Sequence, residues 1–232
     1  MEKEKQMTTE VRTIENAEEK RRICRAILEA LPEWFGIPEA REEYVSESAD
    51  KLFFAAMDGE NPVGFLCLKE TGRDTVELYV MGVLKARHRT GAGRALVEAA
   101  KRAAREAGMP VIGSCHDFEK TPDAEEMAAR LCRMAALGAD VCKIAVMPRR
   151  RRDVVALTAA CAQADDALTQ PIIAISMGEM GMPTRICAEA MGSCLSFGTA
   201  GAASAPGQME AGALREALAL VHRALAREAQ EF

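Results

Sequence analysis

The sequence predicts an α/β protein in two unlike parts: an α+β segment over about residues 10–108, then four parallel βα units, half of a (β/α)8 barrel, over about 109–232. Three observations carry this. The apolar runs 52–57, 63–68 and 76–84 are separated only by the turn pairs Asp58-Gly59 and Thr71-Gly72, the pattern of an antiparallel meander. Beyond residue 109 the strand-like runs Val111–Cys115, Val141–Met147, Ile172–Met177 and Ser193–Phe197 begin 30, 31 and 21 residues apart, the spacing of parallel strands joined by helices. Composition also changes at that point. Seven of the ten aromatic residues, including Trp34, Tyr44 and Tyr79, precede residue 109, and the second half is rich in Ala, Met, Cys and Gly.

With 232 residues, 49% of them apolar, the chain is long enough to bury a sizeable core. No apolar run approaches the roughly 20 residues that span a bilayer, and Met1–Gln6 lacks the apolar core of a signal peptide. A cytoplasmic location with no membrane partner is expected. The eight cysteines stand singly, with no C-x-x-C pair and no paired histidines, so they read as reduced, mostly buried thiols, and no metal site is expected. Residues 1–108 carry 18 Lys/Arg against 20 Asp/Glu and residues 109–232 carry 12 against 15, which argues against nucleic acid as a partner.

In the first part, a polar leader (1–9) precedes a short strand at Val11–Ile14. Asn16 is placed to cap a helix with Ile23, Ala26, Ile27 and Leu31 on its apolar stripe, ended by Pro32. A second helix is expected over roughly 38–48, then the meander. Next comes Lys85-Ala86-Arg87-His88-Arg89-Thr90-Gly91-Ala92-Gly93-Arg94, opening a helix to about Ala107 with Leu96, Val97, Ala100 and Ala104 inward. The first N–H groups of a helix lack intrahelical partners and sit at its positive end, so a glycine-rich basic turn there suits a pyrophosphate. The same residues equally describe a tight strand-to-helix turn with a solvated basic face.

The order of elements favours the former. Strand, two helices, three-strand meander, glycine loop and helix resemble the GNAT-superfamily N-acetyltransferases, whose acetyl-CoA loop reads Q/R-x-x-G-x-G/A. That pattern falls on His88-Arg89-Thr90-Gly91-Ala92-Gly93, with His in place of the first Gln or Arg. The resemblance implies that Val80–Val83 pairs with the pantetheine arm and that the loop amides from Arg89 to Arg94 hold the pyrophosphate. It covers about residues 10–108. The closing elements of a full acetyltransferase, which carry much of the acceptor pocket, are not recognisable.

In the second part, Thr121-Pro122 supplies an N-cap and first-turn proline. Leu131, Met134 and Leu137 point inward, and Gly138 closes the helix. Asp153 caps the next helix, with Val154, Leu157 and Cys161 inward. Four such units make half of a barrel of about 250 residues. Polar residues gather at or after the strand C-termini, where barrel chemistry sits: His116, Arg185, Ser204 and Gln208. Lys143 lies within the apolar run Val141–Met147. Burial makes its charge costly and favours the neutral amine that attacks carbonyls, whereas a lysine that snorkels to the strand edge would have no such role. His116 alone also fits a structural histidine. Together they suggest Schiff-base chemistry with an acid/base partner.

At these residues a family is recognisable. Ser114–Pro122, then Gly138–Pro148, then Phe197-Gly198 and Ala203-Ser204-Ala205-Pro206-Gly207-Gln208 closely resemble type I 3-dehydroquinate dehydratases, in order and spacing across 109–232. The resemblance implies that Lys143 forms an imine with the ketone of 3-dehydroquinate, without a cofactor, and that His116 shuttles protons. It implies further that Arg185 pairs with the substrate carboxylate, that Ser204 and Gln208 lie on the loop closing over the ring, and that Met177 and Phe197 form its apolar wall. Without the motif these five read as a solvated helix residue, turn residues and barrel core. Complete members are eight-stranded barrels whose first four strands add a carboxylate and charged groups to the site. Here an acetyltransferase segment stands in their place, joined near Ala107–Pro110. The expected molecule is a fusion with a compromised dehydratase site and acetyl-CoA as an alternative ligand. An open sheet edge should drive self-association into a homo-oligomer.

Overall fold

The computed structural model describes residues 9–72 and 75–228, so most of the polar leader lies outside the described residues. The chain folds as two compact units that divide between Met109 and Pro110.

In the first unit, strands β1 (Glu10–Thr13), β2 (Leu52–Asp58), β3 (Asn61–Gly72) and β4 (Thr75–Val83) form one antiparallel sheet in the order β1-β2-β3-β4. Helices cover both faces. Phe53 and Phe65, stacked with ring centres 5.1 Å apart, meet α1 (Ala17–Glu29) through Ile23, Cys24, Ile27 and Leu28. Phe54 and Leu66 on the opposite face meet Ala92, Leu96 and Ala99 of α3 (Ala92–Glu106). Asn16 caps α1 as expected, accepting from the Glu19 amide at 3.0 Å, and α2 spans Pro38–Glu47. Two positions differ from the simple stripes. Ala26 faces solvent while Cys24 and Leu28 are buried, and Ala99 rather than Val97 lies under α3, because the buried arcs centre on Cys24 in α1 and on Ala92, Leu96 and Ala99 in α3, which leaves Ala26 and Val97 on the far side. Thr71 and Gly72 continue β3 instead of turning, and Gly72 pairs with Thr75.

In the second unit, β5 (Ile112–Asp117), β6 (Val141–Val146) and β7 (Ile172–Ser176) are parallel, in the order β5-β6-β7, joined by α4 (Ala124–Ala136) and α5 (Arg151–Ala167). Alternation sorts the two faces. Cys142, Ile144 and Val146 pack with Met127, Leu131, Leu157 and Cys161 of the helices, whereas Ala145, Ile173, Ile175 and Met177 form a separate cluster on the other face. Val154 and Met134 are half-buried, and Leu137, at the end of α4, is exposed.

The expected fourth strand is reduced to one parallel bridge, Ile172 to Ser193. The Ser193 hydroxyl accepts the Ala174 amide at 3.0 Å, taking a donor that a main-chain ladder would use. The caps also differ from expectation. Asp123, not Thr121, caps α4 through the Glu126 amide, while the Thr121 hydroxyl donates to the Met147 carbonyl. Asp153 lies inside α5 at its third position and accepts the Arg149 and Arg150 amides from there. Gly138 closes α4 with φ +82°, as expected. A five-residue helix α6 (Met182–Ile186) and α7 (Ala211–Glu228) complete the unit. All eight cysteines are free thiols, but only four (Cys24, Cys67, Cys142 and Cys161) are buried. Among the described residues no helix is long and apolar enough to cross a membrane.

Candidate active site

The strand register of the second unit aligns Ser114, Lys143 and Ile173 in one row and His116, Ala145 and Ile175 in the next. Because side chains alternate across a strand, Lys143 and His116 share the face lined by Ala145, Ile173, Ile175 and Met177. Lys143 has no carboxylate partner among the described residues. Its ammonium lies 4.5 Å from the centre of the Phe197 ring. Burial, and then the positive charge of Arg185, hold its pKa below the ordinary lysine value, which favours the free amine. His116 stacks on Phe118 with ring centres 5.9 Å apart, and its Nε2 lies 3.4 Å from the Ser114 hydroxyl. Burial and the charge of Lys143 lower its pKa too, leaving a neutral imidazole able to accept a proton.

Arg185, on α6, is only 1% exposed. Its Nη1 donates to the Phe197 carbonyl at 3.1 Å and its Nη2 to the Pro206 carbonyl at 3.2 Å, while Nε has no acceptor among the described residues. Burial lowers its pKa. A buried guanidinium held only by carbonyls leaves its charge uncompensated, the state that a carboxylate ligand relieves. Arg185 is therefore not the solvated helix residue that its surroundings in the sequence allowed.

The loop after Phe197 is fastened near the same place. Gly178, directly after the buried Met177, donates its amide to the Pro206 carbonyl at 3.0 Å. Gly207 packs so tightly there, with φ +71°, that a Cβ would lie 2.2 Å from the Gly178 carbonyl oxygen. Ser204 and Gln208 bond to each other, the Ser204 amide donating to Gln208 Oε1 at 2.8 Å and Gln208 Nε2 donating to the Ser204 hydroxyl at 3.0 Å. Lys143, Phe197 and Arg185 thus form one cluster, His116 is coupled to it through Lys143, and Ser204 and Gln208 are tied to it through Pro206. Sequence reasoning overlooked Ser114 as a neighbour of His116, although the two-residue spacing on one strand signals a shared face.

In the first unit, β4 ends the sheet, paired among the described residues only with β3. The turn after it holds Arg89 at φ +62° and Gly91 at φ +94°, and no side chain caps α3. His88 folds back, its Nε2 2.8 Å from the Val83 carbonyl, and Thr90 donates to the Arg87 carbonyl. Arg89 and Arg94 are exposed. The amides of Ala92, Gly93 and Arg94 begin the helix, where an anion is favoured.

Residues 91–224, more than half of the chain, match the family model of type I 3-dehydroquinase. The chain belongs to the type I 3-dehydroquinase family. Residues 20–132 of this type I dehydroquinase chain match the acetyltransferase (GNAT) family, so the protein carries both. It is 35% identical over 199 residues to a 3-dehydroquinate dehydratase of Listeria innocua, covering 86% of this chain and 72% of that protein. To the Clostridium kluyveri 3-dehydroquinate dehydratase it is 49% identical over 117 residues, 50% of this chain and 46% of the relative. Among solved structures it resembles the type I 3-dehydroquinate dehydratase of Clostridium difficile with covalently modified comenic acid. The TM-score is 0.54 and the identity 42%, over 57% of this chain and 53% of that one. The Geobacillus kaustophilus 3-dehydroquinate dehydratase gives a TM-score of 0.54 at 30% identity, over 58% and 56%. The dehydroquinase chain spans about half the length of both structures and of the Clostridium kluyveri relative.

Proposed function

We propose that the second unit is a lysine-dependent lyase converting 3-dehydroquinate to 3-dehydroshikimate and water, a step of the shikimate route to aromatic amino acids. The observation that carries this reading is the Lys143 amine, biased toward its neutral form on a strand face beside a buried, carboxylate-free Arg185. The neutral Nζ adds to the substrate ketone, and water leaves to give the imine. His116 takes a proton from the carbon beside the imine, and hydroxide leaves from the next carbon, protonated to water. A further water then hydrolyses the imine, so one water is released overall and no cofactor is required. Arg185 receives the carboxylate, Met177 and Phe197 wall the ring, and the Ser204–Gln208 loop lies over it. With half a barrel, turnover is expected far below that of a full-length relative. A cytoplasmic homo-oligomer fits this reading, as does a fusion of an acetyltransferase fragment (10–108) with a half-barrel (109–232) after the leader (1–9). Borohydride reduction in the presence of dehydroquinate should add the reduced ligand's mass to the peptide carrying Lys143. An unmodified peptide would sink the reading.

A second reading belongs to the first unit, an acetyl-CoA-binding transferase fragment, favoured by the uncapped start of α3 and the unpaired edge of β4. There Val83 and its strand would pair with the pantetheine arm, and the turn His88, Arg89, Thr90, Gly91, Ala92, Gly93, Arg94 would hold the pyrophosphate. Bound acetyl-CoA would supply an activated acetyl group. Calorimetric titration should show binding at micromolar acetyl-CoA, and Gly91→Val, forced into a left-handed backbone, should weaken it by about tenfold or more. No heat with the wild type would remove this reading.

A further inference from the structure

Among the described residues the parallel sheet of the second unit is open at both ends, and each end exposes apolar side chains. Among the described residues β5 pairs only with β6, and along that edge Ile112 is 50% and Phe118 62% exposed. At the other end the segment 193–196 joins β7 by a single bridge. Beyond it lies a cleft of about 490 Å³, lined by Leu195, Leu218 and Ala219 and also by Arg215 and the Glu189–His222 pair. Leu195 is 45% exposed. Unpaired strand edges of this kind recruit other strands.

The geometry points to a second copy of this chain as the occupant of both edges. All strands of the unit run parallel, so a two-fold rotation about the barrel axis sets β5 of one copy beside segment 193–197 of the other, twice, with every strand still parallel. The proportion agrees: the chain covers 53% of the Clostridium difficile structure, so two copies supply one barrel's length. Ile112 and Phe118 at one edge and Leu195 at the other are the exposed apolar side chains that such a pairing would bring to the seams. The inference names the partner that walls the site proposed above and rests on that reading for its meaning, but its test uses no substrate. A failed borohydride trap and a failed dimer are therefore separate results.

The test is sedimentation of the full chain at micromolar concentration. A dimer is expected, and a clean monomer overturns the inference. Ile112→Lys and Leu195→Glu should each weaken the dimer by about tenfold or more, since each replaces an exposed apolar contact of the seam by a charge that must be desolvated. Val155→Lys, on an exposed part of α5, should leave it unchanged. Mixing the Ile112→Lys and Leu195→Glu proteins should restore dimers, because one seam then joins opposite charges and the other is wild type. If Leu195→Glu alone leaves the dimer intact, β5 is pairing with β5 and the head-to-tail arrangement is wrong. Phe118→Lys, beyond the strand end, replaces Ile112→Lys if the latter loses its native circular dichroism.

Discussion

Replacing Lys143 by methionine should abolish the borohydride adduct and lower any dehydration rate by about a thousandfold or more, because no other amine lies on that strand face to form the imine. The protein should at the same time become more stable at neutral pH. Unfolded, Lys143 holds its proton up to the ordinary value of 10.5, whereas the folded chain releases it at lower pH because burial and Arg185 disfavour the charge. Between those two values the unfolded state binds more protons, so wild-type stability rises with pH. Below the folded value the full cost of the buried charge is present. Methionine removes that cost, so the variant's advantage should be greatest at low and neutral pH and shrink as pH approaches 10.5. Urea unfolding at several pH values, with mass spectrometry of the adduct, checks both parts. An adduct that persists in the variant would place the imine on another residue.

Arg185→Gln should raise KM for dehydroquinate by roughly 10- to 100-fold, the worth of a charge-assisted pair with a carboxylate. Trapping at saturating substrate should persist, since the amine itself is untouched. Two consequences oppose each other in stability: the variant loses bonds to the Phe197 and Pro206 carbonyls, and it also loses a buried charge that has no carboxylate partner. Arg185→Lys should recover only part of the affinity, because an ammonium lacks the planar fork. Initial rates across substrate concentration distinguish these outcomes, and an unchanged KM in Arg185→Gln would remove the carboxylate role.

The strand and helix order of both units was legible because it is written in local signals. Asn16 and Gly138 act within one turn of their own positions, and the apolar period of β6 is visible residue by residue. The lysine inside that period was legible for the same reason, as an interruption of a pattern. Other features depended on neighbours distant in the chain. Ser193 ends the expected fourth strand only because its hydroxyl meets the amide of Ala174, nineteen positions earlier. Asp123 rather than Thr121 caps α4 while the Thr121 hydroxyl is bonded to the Met147 carbonyl, a partner that belongs to another strand's end.

By itself, then, the sequence determined the two-part division, the parallel character of the second unit and the residue types available for chemistry, since periodicity, caps and motif spacing act over a few residues. Tertiary structure alone decided that Arg185 is buried with no carboxylate beside it, that its charge and the Phe197 ring both bear on Lys143, and that the loop through Pro206 closes against Gly178. The physical reason is that burial and electrostatic coupling depend on distance in space. Residues 143, 185, 197 and 206 become neighbours only when the parallel strands and the segments after them have packed.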